Sequence, residues 1–422
     1  MSLMGADQQV GATAPGRRVV ITCAAFAVVG SLGLVTNLSG QLRGPLSART
    51  EPLSIVLMLL VPLVGMAALW RFPRTAWAWL LLAGAALSAP TAFLSSTFST
   101  RQATVGDQLL AVSSLTSPTL TLLGLLATAT WIARAGMRGL GAVVAGLSVG
   151  VPLIGQLVVF PLFASDDRTI WAVITVIALC GAVALMTMLR SVPGDVVATT
   201  RPELRLVIAG AVCTLLPLVY ALADRDSWPI YAVAALTVVA TVATGWRAGL
   251  GAAILALAST ATLTPMLQVT FLAGYGSLGW TTFAVIGGIL LGTVIVAGRY
   301  RVPVAAVGLV VFGALTLINP MTLRNAPFAA MVVLMFLLVT VIVAKTGAVV
   351  DLLRVDGSAA VAVSIVGASL TSALTNFEFT LGRGAYTIMN PNQGLSIAFG
   401  LMLVAAAGLL VLLSRRTRDH VE

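Results

Sequence analysis

Few side chains in this sequence could do chemistry, and none falls in a catalytic pattern. The only histidine, His420, lies in a basic C-terminal tail, and the three cysteines, Cys23, Cys180 and Cys213, lack metal-ligand spacing. The sequence has no phosphate-binding glycine loop, no paired catalytic carboxylates and no nucleophile beside a base. It therefore predicts no cofactor, no metal site and no enzyme, and argues against an ATP-driven pump. An enzyme that works inside a membrane without histidine remains open.

Four uncharged amides lie deepest in the long apolar runs of the chain: Asn37, Gln156, Gln268 and Asn376. Each must find a hydrogen-bond partner, because a buried unpaired amide costs a few kcal/mol. They either join neighbouring helices or line a cavity that contacts a substrate. We predict substrate-binding cavity positions, with Gln156 and Gln268 as the preferred pair.

Two acids, Asp107 and Glu378, lie closest to the apolar runs, at the outer ends of the fourth and thirteenth. Ionisable groups inside a membrane are costly and often mark ion pathways. The two carboxylates are either solvated charges at helix ends or participants in coupling and gating.

Three glycines in the fifth apolar run, Gly146, Gly150 and Gly155, fall close to one helical face, with Pro152 between them. Small residues let helices approach closely within lipid. Proline removes a backbone hydrogen bond and bends a helix. The pattern indicates either simple helix packing or a gating interface.

The composition places these residues in a membrane. Hydrophobic residues make up 59% of the 422 residues, charged residues 9%, and the mean hydropathy is +1.04. A soluble protein of this length would need many more charges to cover its surface. The net charge of +10 comes from basic residues scattered between apolar runs, without an aromatic and basic platform. We therefore predict a partner in the lipid bilayer, and no nucleic acid.

About 20 apolar residues span a bilayer core, and this length identifies fourteen spans in the chain. They lie at 19–38, 53–70, 76–95, 109–132, 140–163, 170–189, 204–223, 229–246, 249–273, 279–298, 302–319, 327–345, 359–377 and 395–414. Lys and Arg concentrate in alternate loops, as the positive-inside rule requires if both termini are cytoplasmic. The sequence thus predicts an all-α, multi-pass protein of the cell membrane.

Pro193, Gly194 and Pro202 oppose helix continuation after the sixth span, so the spans divide into six, two and six. The predicted domains are a cytoplasmic tail, an N-terminal bundle, a linker with a two-helix insert, a C-terminal bundle and a second tail, at 1–17, 18–191, 192–247, 248–414 and 415–422. The second and tenth spans both end in glycine-containing segments followed by short basic turns, Gly65 to Arg74 and Gly292 to Arg301. Such equivalent positions indicate a transporter repeat.

These features resemble the major facilitator superfamily, and within it the fourteen-helix drug:proton antiporter branch. The segment from Gly146 to Gly155 is similar to the antiporter motif of that branch, with its proline one position late. The segment Leu263 to Gln268 is similar to the Tyr-Leu-Gln stretch that opens the C-terminal bundle of the family. The resemblance implies two bundles that alternate in exposing a central cavity.

The sequence departs from the family where the family couples transport to protons. The loop after the second span keeps Arg71 and Arg74 but has no aspartate. Gly106 and Asp107 stand where the fourth helix would carry an arginine, and Leu32 stands where the first would carry an acid. The fold implied by the resemblance survives these departures, whereas the usual proton route does not.

We therefore predict a secondary transporter that exports a hydrophobic or amphiphilic small molecule, with its coupling ion undefined. An apolar cavity with a few amides suits such a substrate. The alternative is a carrier-like fold that no longer pumps and serves as a lipid-handling or scaffold subunit of a membrane complex. Under either function, the sequence leaves open whether the protein is a monomer or binds an unknown membrane partner.

Overall fold

The computed structural model is helical throughout the residues that it describes. These are residues 16–35, 51–72, 75–93, 105–155, 168–191, 235, 239, 247, 249–258, 261–262, 278–318, 327–354 and 393–418. Helices are expected here because lipid offers the backbone no hydrogen-bond partners, so each spanning segment must satisfy its own N–H and C=O groups.

Seven helices are described in the N-terminal part of the chain: α1 (Arg17–Gly30), α2 (Glu51–Arg71), α3 (Ala76–Leu87), α4 (Ala89–Phe93), α5 (Val105–Arg134), α6 (Arg138–Ile154) and α7 (Arg168–Ser191). Five are described in the C-terminal part: α8 (Gly249–Ala258), α9 (Leu278–Ala297), α10 (Arg301–Ile318), α11 (Phe328–Leu353) and α12 (Gln393–Arg418). We refer to these two sets as the N-terminal helices and the C-terminal helices.

Seven segments among the described residues are long and apolar enough to cross a bilayer. They are Arg17–Val35, Thr116–Arg134, Thr169–Arg190, Gly279–Ala297, Arg301–Ile318, Phe328–Leu353 and Ser396–Thr417. Each of these seven observed segments coincides with a predicted span, and most of its ends lie within a few residues of the predicted bounds. The predicted spans 204–223 and 359–377 lie outside the described residues, as does most of 229–246, so the count of fourteen and the six-two-six division remain predictions.

Two predicted spans differ in form from the observed helices. The span 76–95 is broken at Ser88, where α3 ends and α4 begins. Pro90 follows two residues after Ser88 and has no N–H to continue the helical hydrogen-bond series. The span 327–345 was predicted to end at Lys345, whereas α11 continues to Leu353.

Small residues set the packing within each set of helices. A Cβ added to Gly30 of α1 would lie 3.3 Å from the Ala182 nitrogen of α7, and one added to Gly181 would lie 2.8 Å from the Gly30 nitrogen. In the C-terminal helices, Gly313 of α10 and Gly400 of α12 face each other in the same way, each added Cβ lying 2.9 Å from the other residue's carbonyl oxygen. These contacts bring the helix backbones close together, as expected within lipid.

Apolar side chains cover the outer faces of several helices. On α9, Phe283 is 73% exposed, Leu290 61% and Val294 69%. Their spacing places them along one side of the helix. Such a surface would be a liability in water, but it suits contact with lipid chains. The molecule is therefore an all-α, multi-pass membrane protein.

Candidate gate between the N-terminal and C-terminal helices

Helix α6 makes the main contacts between the two sets of helices. It packs against α9 and α11, while α5 also contacts α11. Gly146 lies against α11, where an added Cβ would be 2.8 Å from Val343 Cγ1. Gly150 lies against α9, where an added Cβ would be 3.2 Å from Ile289 Cγ2. Two of the glycines predicted for packing or gating thus meet the opposite set of helices.

The third predicted glycine and the proline lie farther along α6. An added Cβ at Gly155 would lie 2.9 Å from the Val35 Cα, beyond the end of α1, so this glycine packs within the N-terminal helices. Pro152 is buried inside α6. The three glycines therefore pack against three different segments: α11, α9 and the residues that follow α1. A gating role at Gly146, Gly150, Pro152 or Gly155 remains a prediction.

The opposite surface of this interface also uses glycine. On α11, a Cβ added to Gly347 would lie 2.6 Å from the Ala142 carbonyl oxygen of α6 and 2.5 Å from Val296 Cγ1 of α9. On α9, one added to Gly292 would lie 2.8 Å from Val343 Cβ. Helices α6, α9 and α11 therefore each contribute glycine to the surface where they meet.

Charged residues collect at one end of this interface, which we call the basic end. Arg301 at the start of α10 donates to the Asp351 carboxylate of α11 over 2.6 Å, and Arg354 donates to its other oxygen over 2.9 Å. Asp351 is 6% exposed, so its charge is held largely away from water and requires these partners. Arg301 also donates to the carbonyl oxygen of Val296, near the end of α9.

A further hydrogen bond at the basic end joins the two sets of helices. The Nε–H of Arg134, the last residue of α5, donates to the carbonyl oxygen of Arg354 over 3.1 Å. Carbonyl groups at a helix C-terminus have no partner within the helix, and a basic side chain satisfies them well. Arg134, which belongs to the N-terminal helices, thus caps the end of α11, which belongs to the C-terminal helices.

Lys345 lies within α11 and is 1% exposed. It precedes Asp351 by six residues, and every residue from Leu338 to Leu353 is buried. The predicted span 327–345 ends at this lysine because the count of apolar residues stops at the charge. The signal that would have extended the helix is the apolar sequence after it, Thr346 to Val350, which continues for more than a turn.

Most of the predicted cavity and coupling residues cannot be located. Asn37, Gln156, Gln268, Asn376 and Glu378 all lie outside the described residues, and Asp107 lies in the first turn of α5 with its side chain outside the description. No group of three or more His, Cys, Asp or Glu that could hold a metal ion occurs in the part of the chain that the structure describes.

Hydroxyl side chains form a further buried polar set that sequence analysis did not single out. Ser117 of α5 donates to the Gly84 carbonyl oxygen of α3 over 2.6 Å, and Ser113 of α5 donates to the carbonyl oxygen of Leu87. Both serines are buried. They bond across the helix pair, so their visible role is to join α3 to α5.

No protein-family model matches the sequence, and no curated protein sequence matches it. Solved structures do match the fold. The human organic anion transporter MFSD10 superposes with a TM-score of 0.52 at 14% identity, covering 94% of this chain and 100% of its own. The chain has the fold of the major facilitator superfamily.

Two structures of XylE support the same conclusion. A double tryptophan mutant superposes with a TM-score of 0.52 at 15% identity, covering 93% of this chain and 95% of its own. The proton:xylose symporter XylE bound to 6-bromo-6-deoxy-D-glucose gives a TM-score of 0.51 at 13% identity, covering 92% of this chain and 94% of its own. A likeness at this identity describes the major facilitator fold and leaves activity to be argued from the chain itself.

Proposed function

We propose that this protein is a secondary transporter that moves a hydrophobic or amphiphilic small molecule by alternating access. The observation that carries the proposal is the interface of α6 with α9 and α11, in a chain with the major facilitator fold. Alternating access requires two rigid units that meet along a surface able to separate. The N-terminal and C-terminal helices are the two units in this proposal.

The chemistry of the interface supports such movement. Gly146, Gly150 and Gly347 contribute no side chains of their own, so at each of these positions at most one of the two facing helices has a side chain to move during separation. At the basic end, the hydrogen bond of Arg134 to the Arg354 carbonyl is a polar link that water can replace when the bond breaks. We propose that this end opens and closes during transport.

The remaining predictions belong to the same proposal. The substrate would lie in a cavity lined by Asn37, Gln156, Gln268 and Asn376, and transport would be export across the cell membrane. The basic end would face the cytoplasm, together with both termini, because its arginines belong to the loops that the positive-inside rule places there. The chain would have fourteen spans arranged six, two and six and would belong to the drug:proton antiporter branch.

A vesicle assay tests the proposal. The purified protein is reconstituted into lipid vesicles loaded with a fluorescent amphiphilic dye, and release is followed under imposed pH and voltage gradients. Protein-dependent release that follows a gradient supports secondary transport. Release that ignores the pH gradient and survives Asp107→Asn combined with Glu378→Gln excludes proton coupling through these acids.

A gentle-detergent purification separates this function from the alternative. The missing coupling residues motivate a carrier-like fold that handles lipid or supports a membrane complex without pumping. A stoichiometric partner, together with vesicles that release none of a panel of such dyes, would favour that alternative. A monomer whose thermal stability rises with one of the dyes would favour transport.

A further inference from the structure

Arginine side chains from both sets of helices line a cavity at the basic end, which we call the arginine pocket. It has a volume of about 520 Å³ and is lined by Arg138 of α6, Arg299 and Arg301 beside α10, Arg354 at the end of α11 and Arg415 of α12. Among the described residues of its lining, Asp351 is the only acid. Five arginines against one aspartate give the described lining an excess of positive charge.

Three of the five arginines make no ion pair with a described residue. Asp351 is taken by Arg301 and Arg354, which leaves Arg138, Arg299 and Arg415. All three are exposed. Guanidinium groups bind phosphate oxygens through paired hydrogen bonds, so three of them around one cavity are suited to a phosphate group.

An apolar groove begins where the arginine pocket ends. It has a volume of about 610 Å³ and runs between α10 and α12, lined by Val307, Val310, Val404, Gly408 and neighbouring small apolar residues. The groove and the pocket share Val411 and Arg415. One continuous surface therefore offers cationic groups at one end and aliphatic side chains along the rest.

The length of the groove matches one leaflet of a bilayer. Val404 and Arg415 are eleven residues apart on α12, which corresponds to about 16 Å along a helix. Half of a bilayer core is about 15 Å. A chain lying in the groove would thus span its leaflet while its headgroup reached the arginine pocket, where the helices leave the hydrocarbon layer.

We propose that the arginine pocket and the apolar groove form one binding site for an anionic phospholipid. The phosphate is held by Arg138, Arg299 and Arg415, and an acyl chain lies along the groove between α10 and α12. Basic pockets between membrane helices recognise lipid headgroups in this way. Because Arg138 belongs to the N-terminal helices and the other two belong to the C-terminal helices, the lipid bridges the two sets at the basic end.

The test measures the thermal stability of the purified full-length chain in a neutral detergent with three added probes. These are phosphatidylglycerol, phosphatidylcholine and glycerol phosphate, which carries the anionic group without chains. We expect phosphatidylglycerol to raise the unfolding temperature, with little effect of the other two at the same concentration. Equal stabilisation by phosphatidylcholine, or by glycerol phosphate, would overturn the proposal, because a zwitterionic lipid or a soluble anion would then be sufficient.

Two sets of variants locate the site. Combining Arg138→Gln, Arg299→Gln and Arg415→Gln removes the phosphate contacts. We expect at least roughly a tenfold rise in the phosphatidylglycerol concentration that gives half of the maximal rise in unfolding temperature. The matched control combines Arg17→Gln, Arg18→Gln and Arg190→Gln, which changes the net charge equally outside the pocket and should leave that concentration unchanged. An equal loss in both triple variants would reduce the effect to general charge attraction.

Gly408 tests the groove. A Cβ added there meets nothing within 4 Å, so Gly408→Phe adds a ring to the groove without crowding at the Cβ. The control Gly279→Phe places the same side chain at another open position, on α9. We expect the first variant to weaken stabilisation by phosphatidylglycerol and the second to leave it intact. Stabilisation that survives Gly408→Phe would rule out the groove as the acyl-chain site.

Discussion

The Arg134 guanidinium of α5 caps the C-terminus of α11 by donating to the Arg354 carbonyl oxygen over 3.1 Å. The two residues are 220 positions apart in the sequence. Arg354 in turn donates through its side chain to Asp351, and Asp351 accepts a bond from Arg301. One chain of polar contacts therefore runs from the N-terminal helices through α11 to α10.

If the basic end opens during transport, a covalent link across it should stop the cycle. Gly139 of α6 lies close to α9, because a Cβ added there would be 3.6 Å from the Ala297 Cα. The added Cβ faces the Ala297 backbone, and the Ala297 side chain is exposed, so a short reducible dithiol-specific reagent suits cysteines at these two positions better than a direct disulfide. In a variant without the native cysteines, we expect Gly139→Cys with Ala297→Cys to lose dye release when this reagent links the two thiols and to recover it after reduction.

The matched control for this link lies within the N-terminal helices. A Cβ added to Gly33 would be 3.5 Å from Ser88 Cβ, so Gly33→Cys with Ser88→Cys should form a disulfide. This pair joins helices that move together in the proposal, and linking it by oxidation or by the same reagent should leave dye release unchanged. Unchanged release after complete cross-linking of Gly139→Cys with Ala297→Cys would contradict an opening at the basic end.

The contact of Gly146 with Val343 predicts a rescue by a second substitution. Gly146→Ala places a methyl group 2.8 Å from Val343 Cγ1, and valine is stiff about its first side-chain bond. We expect a loss of about 1–3 kcal/mol in stability, by analogy with overpacked cores. Adding Val343→Ala should recover part of it, because the crowded methyl group is removed.

Thermal unfolding measures these effects, and Gly279→Ala supplies the control. A Cβ at Gly279 meets nothing within 4 Å, so this substitution should be nearly neutral. If Gly146→Ala changed the unfolding temperature as little as Gly279→Ala, that result would contradict the close approach of α6 to α11.

The ion pairs of Asp351 predict that its charge stabilises the basic end. Asp351→Asn removes the negative charge and leaves Arg301 and Arg354 facing each other without an acid between them. We expect a loss of roughly 1–3 kcal/mol in unfolding experiments, since hydrogen bonds to charged groups fall in this range. The double variant Asp351→Asn with Arg301→Gln should lose less than the sum of the two single variants. Strict additivity would show that the two side chains are not coupled.

The burial of Lys345 predicts a strong dependence on the replacement. Lys345→Met keeps a long unbranched chain and removes the buried charge, so we expect a folded protein with a stability change within about 1.5 kcal/mol. Lys345→Asp shortens the side chain and reverses the charge on the same helix as Asp351. It should prevent accumulation of folded protein, measured by size-exclusion chromatography after extraction. Equal yields of the two variants would contradict the buried position.

The sequence predicts the helix positions well because lipid permits few alternatives. An apolar run as long as 279–298 must be helical, and the observed helix is Leu278–Ala297. The broken span at Ser88 and the long α11 were missed, since a count of apolar residues neither reads Pro90 as a break nor passes Lys345. A charge inside a helix is tolerated when neighbouring helices supply its surroundings, and those neighbours are distant in sequence.

The candidate gate was predictable in kind but not in its contacts. The glycines of α6 indicate close packing, yet only the folded chain shows that Gly146 meets Val343 and Gly155 meets Val35. The ion pair of Arg301 with Asp351 joins residues 50 positions apart, and a count of loop charges assigns arginines to a side of the membrane without pairing them. The amides Gln156 and Gln268 stay predictions, because they lie outside the described residues.

The length of α11 has a consequence for the membrane in which the protein works. The apolar span of α11, Phe328–Leu353, has 26 residues and extends about 39 Å. A typical hydrocarbon core is about 30 Å thick. This helix must therefore tilt or thicken the surrounding bilayer, at an energetic cost that rises as the membrane thins. Thickness alone, at constant headgroup charge, is thus expected to shift how the helices tilt against one another.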